Sequence, residues 1–271
     1  MPDHVTSRPL NFLFAFLQQH HHWSRELQRR ESFQALAPFP GTKDAAKRLF
    51  SVLHGIANTQ SQPKMGNLGP FWRQLHGFIS RNPAPSRLTF TEHLEKSVNQ
   101  SPKGERPWER LFNALRAQSG WGDKTSALFV KTALRIHSDP TQLHFWNDTN
   151  NGAIDPRDRL YVPVDAVIRV IFDELGVFAK PDFKKINSFL AAHYLPGEML
   201  IWDDLWFWGF FTQEVHDETR VLRWNSDKFW CTKSSPFADE HKVEVLAAEF
   251  LKILRNPTER SVANQHADRE D

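Results

Sequence analysis

Three short segments hold residue types that could do chemistry. The first is Gln118-Ser119-Gly120-Trp121-Gly122-Asp123-Lys124-Thr125. Two glycines one residue apart let a chain turn tightly between antiparallel helices and bring its amides to the surface. A helix starting at Lys124-Thr125 aims its N-terminus at the same place, where free amides and the dipole favour an anion such as a DNA phosphate. Gly120, Gly122 and Thr125 are the residues expected to hold that phosphate. The second segment begins thirty-seven residues after Lys124 and reads Tyr161-Val162-Pro163-Val164-Asp165, ahead of an amphipathic stretch. Asp165 is placed to cap that helix through the amides of its first turn. The third is Ile201-Trp202-Asp203-Asp204-Leu205-Trp206-Phe207-Trp208-Gly209-Phe210-Phe211. Asp204 and Trp208 are four apart and project from one helix face. Two adjacent acids in so apolar a run need partners if they are buried. His20, His21 and His22 are adjacent, so on a helix they point in different directions. They are expected to be a solvated face, and no metal site is expected.

The glycine hairpin followed by Lys124-Thr125, then Val-Pro-Val-Asp165 opening a helix, resembles the helix–hairpin–helix superfamily of DNA glycosylases. Lys124-Thr125-Ser126-Ala127-Leu128-Phe129-Val130-Lys131 looks most like the archaeal-type 8-oxoguanine glycosylases. The resemblance covers about seventy residues. It implies that Lys124 is the nucleophile and Asp165 its catalytic partner. It also implies that an aspartate and a tryptophan of a late helix contact the base, here Asp204 and Trp208. If the register slips, Asp203 or Trp206 takes that place. A glutamine after an early helix contacts the base in the same family, and Gln60 is the match. Trp72 is a lesser stacking candidate. The chain departs from the family in having Gln118-Ser119 before the first glycine, Trp121 between the two, and a longer gap from lysine to aspartate. That gap is expected to be an inserted surface segment from about His137 to Leu160.

The implied chemistry breaks the bond between a base and C1′ of its sugar. Its transition state resembles an oxocarbenium ion, which a carboxylate stabilises. A neutral amine then occupies C1′ and forms a Schiff base. With Asp165 serving the sugar cation, the lysine proton goes to the departing base or a water. The base must first leave the stack, at about a few kcal/mol. Stacking on a ring and hydrogen bonds to the base edge offset this. A Gln60 amide could accept from N7–H, which 8-oxoguanine has and guanine lacks.

Helical periodicity dominates the elements that must position these residues. It predicts helices over Thr42–Asn58, Phe71–Ile79, Pro107–Leu115, Thr125–Ile136, Asp165–Leu175, Asp182–Tyr194, Gly197–Phe211 and Lys242–Leu254. Loops are expected at Gln60–Leu68, Arg81–Arg87, Asn99–Arg106 and Ser138–Leu160. One small hairpin is expected from Val221–Trp224 and Lys228–Thr232. The expected class is all-α, with a glycosylase domain over 1–255 and a polar tail over 256–271. The resemblance divides it into two helical subdomains with a cleft between them. The hairpin at about 107–136 lies in one, and the N-terminus plus about 165–255 forms the other.

Composition narrows the field. The chain has 271 residues with 34 Lys+Arg against 32 Asp+Glu, a balance that leaves a basic DNA-binding face open. Ten Trp and 22 Phe against 2 Tyr supply rings for packing and stacking. Cys231 is the only cysteine, which excludes an internal disulfide, a zinc ribbon and a Cys-ligated iron–sulfur cluster. No cofactor is expected. The run Leu10–Leu17 is too short to span a bilayer and lacks a signal-peptide cleavage site, so no membrane association is expected. A reducing compartment follows, cytoplasmic (nucleoid-associated) or nuclear and not secreted. The expected partner is double-stranded DNA carrying a modified base, met by a monomer with lyase activity. Two alternatives stay open: a defence-type glycosylase against modified bases of foreign (phage) DNA, and a non-catalytic hairpin DNA-binding module.

Overall fold

The computed structural model describes residues 7–60, 65–99, 101, 106–148, 152–217, 219–232 and 239–255. The expected polar tail over 256–271 lies outside them, as do parts of three expected loops (61–64, 100 with 102–105, and 149–151). The protein is all-α. In chain order the helices are α1 (Ser7–Leu36), α2 (Ala45–Ala57), α3 (Met65–Arg81), α4 (Arg87–Ser97), α5 (Pro107–Arg116) and α6 (Asp123–Ser138). They continue with α7 (Ala166–Glu174), α8 (Phe183–His193), α9 (Met199–Trp202), α10 (Leu205–Phe211), α11 (Ser226–Trp230) and α12 (Glu240–Arg255). Strands β1 (Gln213–His216) and β2 (Thr219–Leu222) pair antiparallel with Gln213 opposite Leu222. Among the described residues no helix is long and apolar enough to cross a membrane.

The chain forms two compact units. The first comprises Met1–Arg25, Val164–Ile186 and Ile201–Asp271; the second comprises Glu26–Pro163 and Asn187–Leu200. In the first, α7 and α10 run antiparallel. The Trp202 ring sits 6.5 Å from Phe172 near the end of α7. Gln213 Nε2, just past α10, donates to Val167 O near the start of α7 at 2.9 Å. The two helices approach at Gly209, where a Cβ would lie 2.6 Å from Val167 Cγ1 and 2.8 Å from Ile171 Cδ1. Phe16 of α1, Trp208 and Phe250 of α12 form a ring cluster beside this pair.

The second unit is built on α2, α4, α5 and α6, with Trp108, Phe90 and Phe129 fully buried. The stretch from about His137 to Leu160 is only in part the surface insertion its Pro, Asn and Gly content suggested: Pro140, Asn147 and Pro156 are exposed, but other residues enter the core. Phe145 and Trp146 are buried against His137 and Phe129. Asp158 is buried, and its two oxygens accept from the Trp108 and Glu109 amides that open α5. Buried Arg48 of α2 donates to three carbonyls, those of Phe39, Gly41 and His144. Irregular chain enters a core when buried side chains satisfy its backbone.

Other expectations change for local reasons. Helix α4 carries no clear apolar period, but Ser86 caps it by accepting from Thr89 N at 3.0 Å. Helix α3 starts within the expected loop and holds Pro70 near its first turns. Gly197–Phe211 is not one helix: a 3-10 turn (Pro196–Glu198), α9 and α10 replace it, with Asp203 and Asp204 at the last break. Lys228–Thr232 is not a strand. Asn225 caps α11 by accepting from Lys228 N, so Asn-Ser-Asp opens a helix, and Val221–Leu222 pair with β1 instead. The histidine triplet is only in part a solvated face: His22 is exposed, but His20 is buried against Phe16 and Trp208.

Gly209→Ala is expected to lower unfolding free energy by about 1–2 kcal/mol, because overpacking of about 1–3 kcal/mol exceeds the ~1 kcal/mol that Ala adds to a helix. Urea denaturation measures it. A second expectation concerns His137, whose ring nitrogens have no hydrogen-bond partner among the described residues. Burial, then the facing His144, Arg87 and Arg48, hold it down to about 3 from 6.5. The unfolded chain therefore binds this proton first as pH falls below 6.5, and stability falls with it, by up to about 1.4 kcal/mol per pH unit. His137→Leu should flatten that slope in urea midpoints taken from pH 7 to pH 4.5.

Candidate functional site

The hairpin between α5 and α6 is built from its ends inward. Pro107 starts α5 and Asp158 caps it. Gln118, expected only as a departure from a family pattern, locks the other end. It is buried, its amide donates to Leu94 O and Ala114 O, and its oxygen accepts from Ser97 Oγ. The Trp121 amide bonds Gln118 O, and its ring packs on Phe71 of α3 at 5.2 Å. Between them Gly120 adopts φ +82°, and a Cβ there would lie 2.7 Å from Leu68 Cδ2. Both facts demand glycine at this position.

Gly122 precedes α6 in an extended conformation. Its amide donates to Thr125 Oγ1 at 3.0 Å, and the same hydroxyl donates back to Gly122 O at 3.1 Å. The Thr125 hydroxyl is therefore committed inside the turn. The first helical bond of α6 is Ser126 N–H to Gly122 O. The amides from Asp123 to Thr125 precede it, as the opening amides of any helix do. Asp123 pairs with Arg116 across the hairpin. Lys124 is half-buried, and no hydrogen bond or ion pair engages its amine among the described residues. Gln60 Nε2 reaches the turn itself and donates to Gly120 O at 3.3 Å. The fold thus brings Gln60, Gly120, Gly122, Lys124 and Thr125 to one turn of the second unit.

The segment leading to Asp165 is held by Asn187 of α8. Its amide pairs with both the N–H and the C=O of Val162, at 2.7 and 3.0 Å. Tyr161 stacks on Phe112 with ring centres 4.2 Å apart. Asp165 then caps α7, its Oδ1 accepting from Ile168 N at 3.1 Å. Oδ2 has no partner among the described residues, and the residue is half-buried. Asp165 belongs to the first unit and Lys124 to the second.

The late-helix candidates are placed differently from one another. Asp204 is fully buried, and His21 Nδ1 lies 2.6 Å from its Oδ2. Trp208 is fully buried among Phe16, His20, Phe207 and Phe250. Its face is covered by protein side chains. Trp206 is 40% exposed and stacks on Phe210 at 5.1 Å. Asp203 is buried at the same break. Trp72 packs with Phe50, His54 and Phe71 in the second unit.

The residues that sequence reasoning passed over are His21, Gln118, Asp158 and Asn187. Burial of His20 had a local signal, since it continues the stripe Leu13, Phe16, Leu17 at helical spacing. His21 had none: its partner is 183 residues away. No group of three or more His, Cys, Asp or Glu that could hold a metal ion occurs among the described residues. Comparison of the chain with protein-family models, curated proteins and solved structures finds no match.

Gly120→Ala is expected to cost about 2–3 kcal/mol, from the left-handed backbone and the Leu68 contact together. Gly122→Ala, with open space at its Cβ, should cost far less. Thermal melts of the two variants side by side check the difference.

Proposed function

We propose that the protein is a DNA N-glycosylase with associated lyase activity, acting on a modified base with 8-oxoguanine favoured, through a helix–hairpin–helix fold. The carrying observation is the amine of Lys124, with no ion pair or hydrogen bond among the described residues, in the first turn of α6 directly behind a glycine turn that only glycine can make. The opening amides of α6 take a phosphate of the duplex. Lys124 attacks C1′ as the base departs. Asp165 stabilises the positive sugar with the oxygen its cap leaves unpaired. Resemblance of the hairpin and of Val-Pro-Val-Asp165 to the glycosylase superfamily supports this assignment. Gln60, bonded to the turn, and Trp206, an exposed ring, suit contacts to the flipped nucleotide. A defence role against modified bases of phage DNA uses the same chemistry on a different base.

Borohydride should trap a covalent adduct between the protein and a lesion-bearing duplex. Lys124→Ala should abolish trapping and strand cleavage while duplex binding is nearly retained, because backbone amides hold the phosphate. Asp165→Asn should slow base release by about two to four orders of magnitude, or about 3–5 kcal/mol. It should also remove a negative charge from the α7 N-terminus, at a cost of up to about 1 kcal/mol read from melting curves. Duplex binding with neither release nor trapping across a panel of modified bases would leave a non-catalytic DNA-binding module.

A further inference from the structure

Asp204 and His21 form a pair with no counterpart in the chemistry described so far. The carboxylate has no exposed side-chain surface, whereas the imidazole keeps 26% of its own. A buried acid on Nδ1 fixes the orientation of the ring and leaves Nε2 as the nitrogen that meets solvent or ligand. Nε2 has no protein partner among the described residues.

The pair has a defined position within the first unit. Phe14 of α1 packs on Trp202 at 5.5 Å, and His21 follows two turns later on the same helix. Asp204 lies at the start of α10, and α10 runs antiparallel to α7, with Trp202 beside Phe172 and Gln213 bonded to Val167 O. Asp165, at the start of α7, and Asp204 therefore sit toward opposite ends of this helix pair. Six or seven residues at about 1.5 Å each separate them along the axis, about 10 Å. A nucleoside with its sugar at Asp165 and its base extended along α7 covers a span of that order.

We infer that His21, positioned by Asp204, is the general acid that protonates the base as it leaves, a role that rests on the glycosylase function proposed above. The C1′–N bond breaks and its electron pair stays on the base. The proton on Nε2 moves to the base, and the neutral imidazole keeps its Nδ1–H on the Asp204 carboxylate. The sugar cation is taken by the Lys124 amine or by water. Solvent then returns a proton to Nε2 across the exposed edge of the ring.

Two measurements separate this role from the rest of the chemistry. One is single-turnover base release from duplexes carrying 8-oxoguanine and other modified bases. The other is borohydride trapping on a duplex with a pre-formed abasic site, where no base remains to protonate. His21→Gln should lower release about 100-fold, remove one ionisation limb from its pH profile, and leave trapping within about 2-fold of wild type. Asp204→Asn keeps an acceptor for Nδ1–H and should lower release about 10-fold with the limb retained. Release by His21→Gln within about 3-fold of wild type overturns the inference and leaves the glycosylase standing. Equal losses of release and trapping overturn it too, since a folding defect moves both. A wild type that releases no base from any duplex overturns the glycosylase function, and this role with it.

Discussion

A buried peptide group must find a hydrogen bond, and in this protein several segments that enter the core are not helical. Burial is possible because single polar side chains enter the core and bond the backbone of irregular segments. Arg48 gathers the carbonyls of Phe39, Gly41 and His144. Asp158 satisfies the opening amides of α5, and Gln118 the carbonyls of Leu94 and Ala114. Asn187 reads both polar groups of Val162. Each side chain is buried, and where its partner is buried too, as at Leu94, Ala114 and Val162, losing it leaves that group unpaired at about 1–3 kcal/mol per group.

Those same side chains set the geometry of the candidate chemistry. Gln118 and Asp158 fix the two ends of α5, and the turn between α5 and α6 then has one way to close, through a left-handed Gly120 packed on Leu68. Lys124 inherits its place from that turn. Asn187 holds the extended chain at Val162, three residues before Asp165, so the α7 cap starts from an anchored strand. Both candidate groups thus stand on short rigid supports, and neither is engaged in an ion pair among the described residues. The His21–Asp204 pair shows the same economy, with a carboxylate inside the first unit holding a ring at its surface.

The aromatic content divides along similar lines. Trp108, Trp202 and Trp208 are fully buried and serve packing. Trp206 and Trp230 are exposed, and Trp206 stacks on Phe210. Exposure, which composition cannot express, separates rings that can meet a ligand from rings that fill the core.

The amino-acid sequence by itself determined the helical class, most helix cores, the glycine turn and the capping Asp165, because these depend on spacing within a few residues. It did not disclose α4, whose cap outweighs a weak apolar pattern, or the break at Asp203 and Asp204 inside an apolar run. It misread Lys228–Thr232, where one asparagine accepting one amide favours a helical turn over a strand. It also misread His137 to Leu160 as surface, since Pro, Asn and Gly mark irregular backbone and say nothing of its depth. Tertiary structure alone decided that Phe145, Trp146 and Asp158 of this segment are core, that Trp208 is buried while Trp206 is exposed, and that Asp204 faces His21 from 183 residues away. Each outcome depends on a contact between residues distant in the chain. Local periodicity carries no information about such contacts, because burial is settled only when separate helices meet.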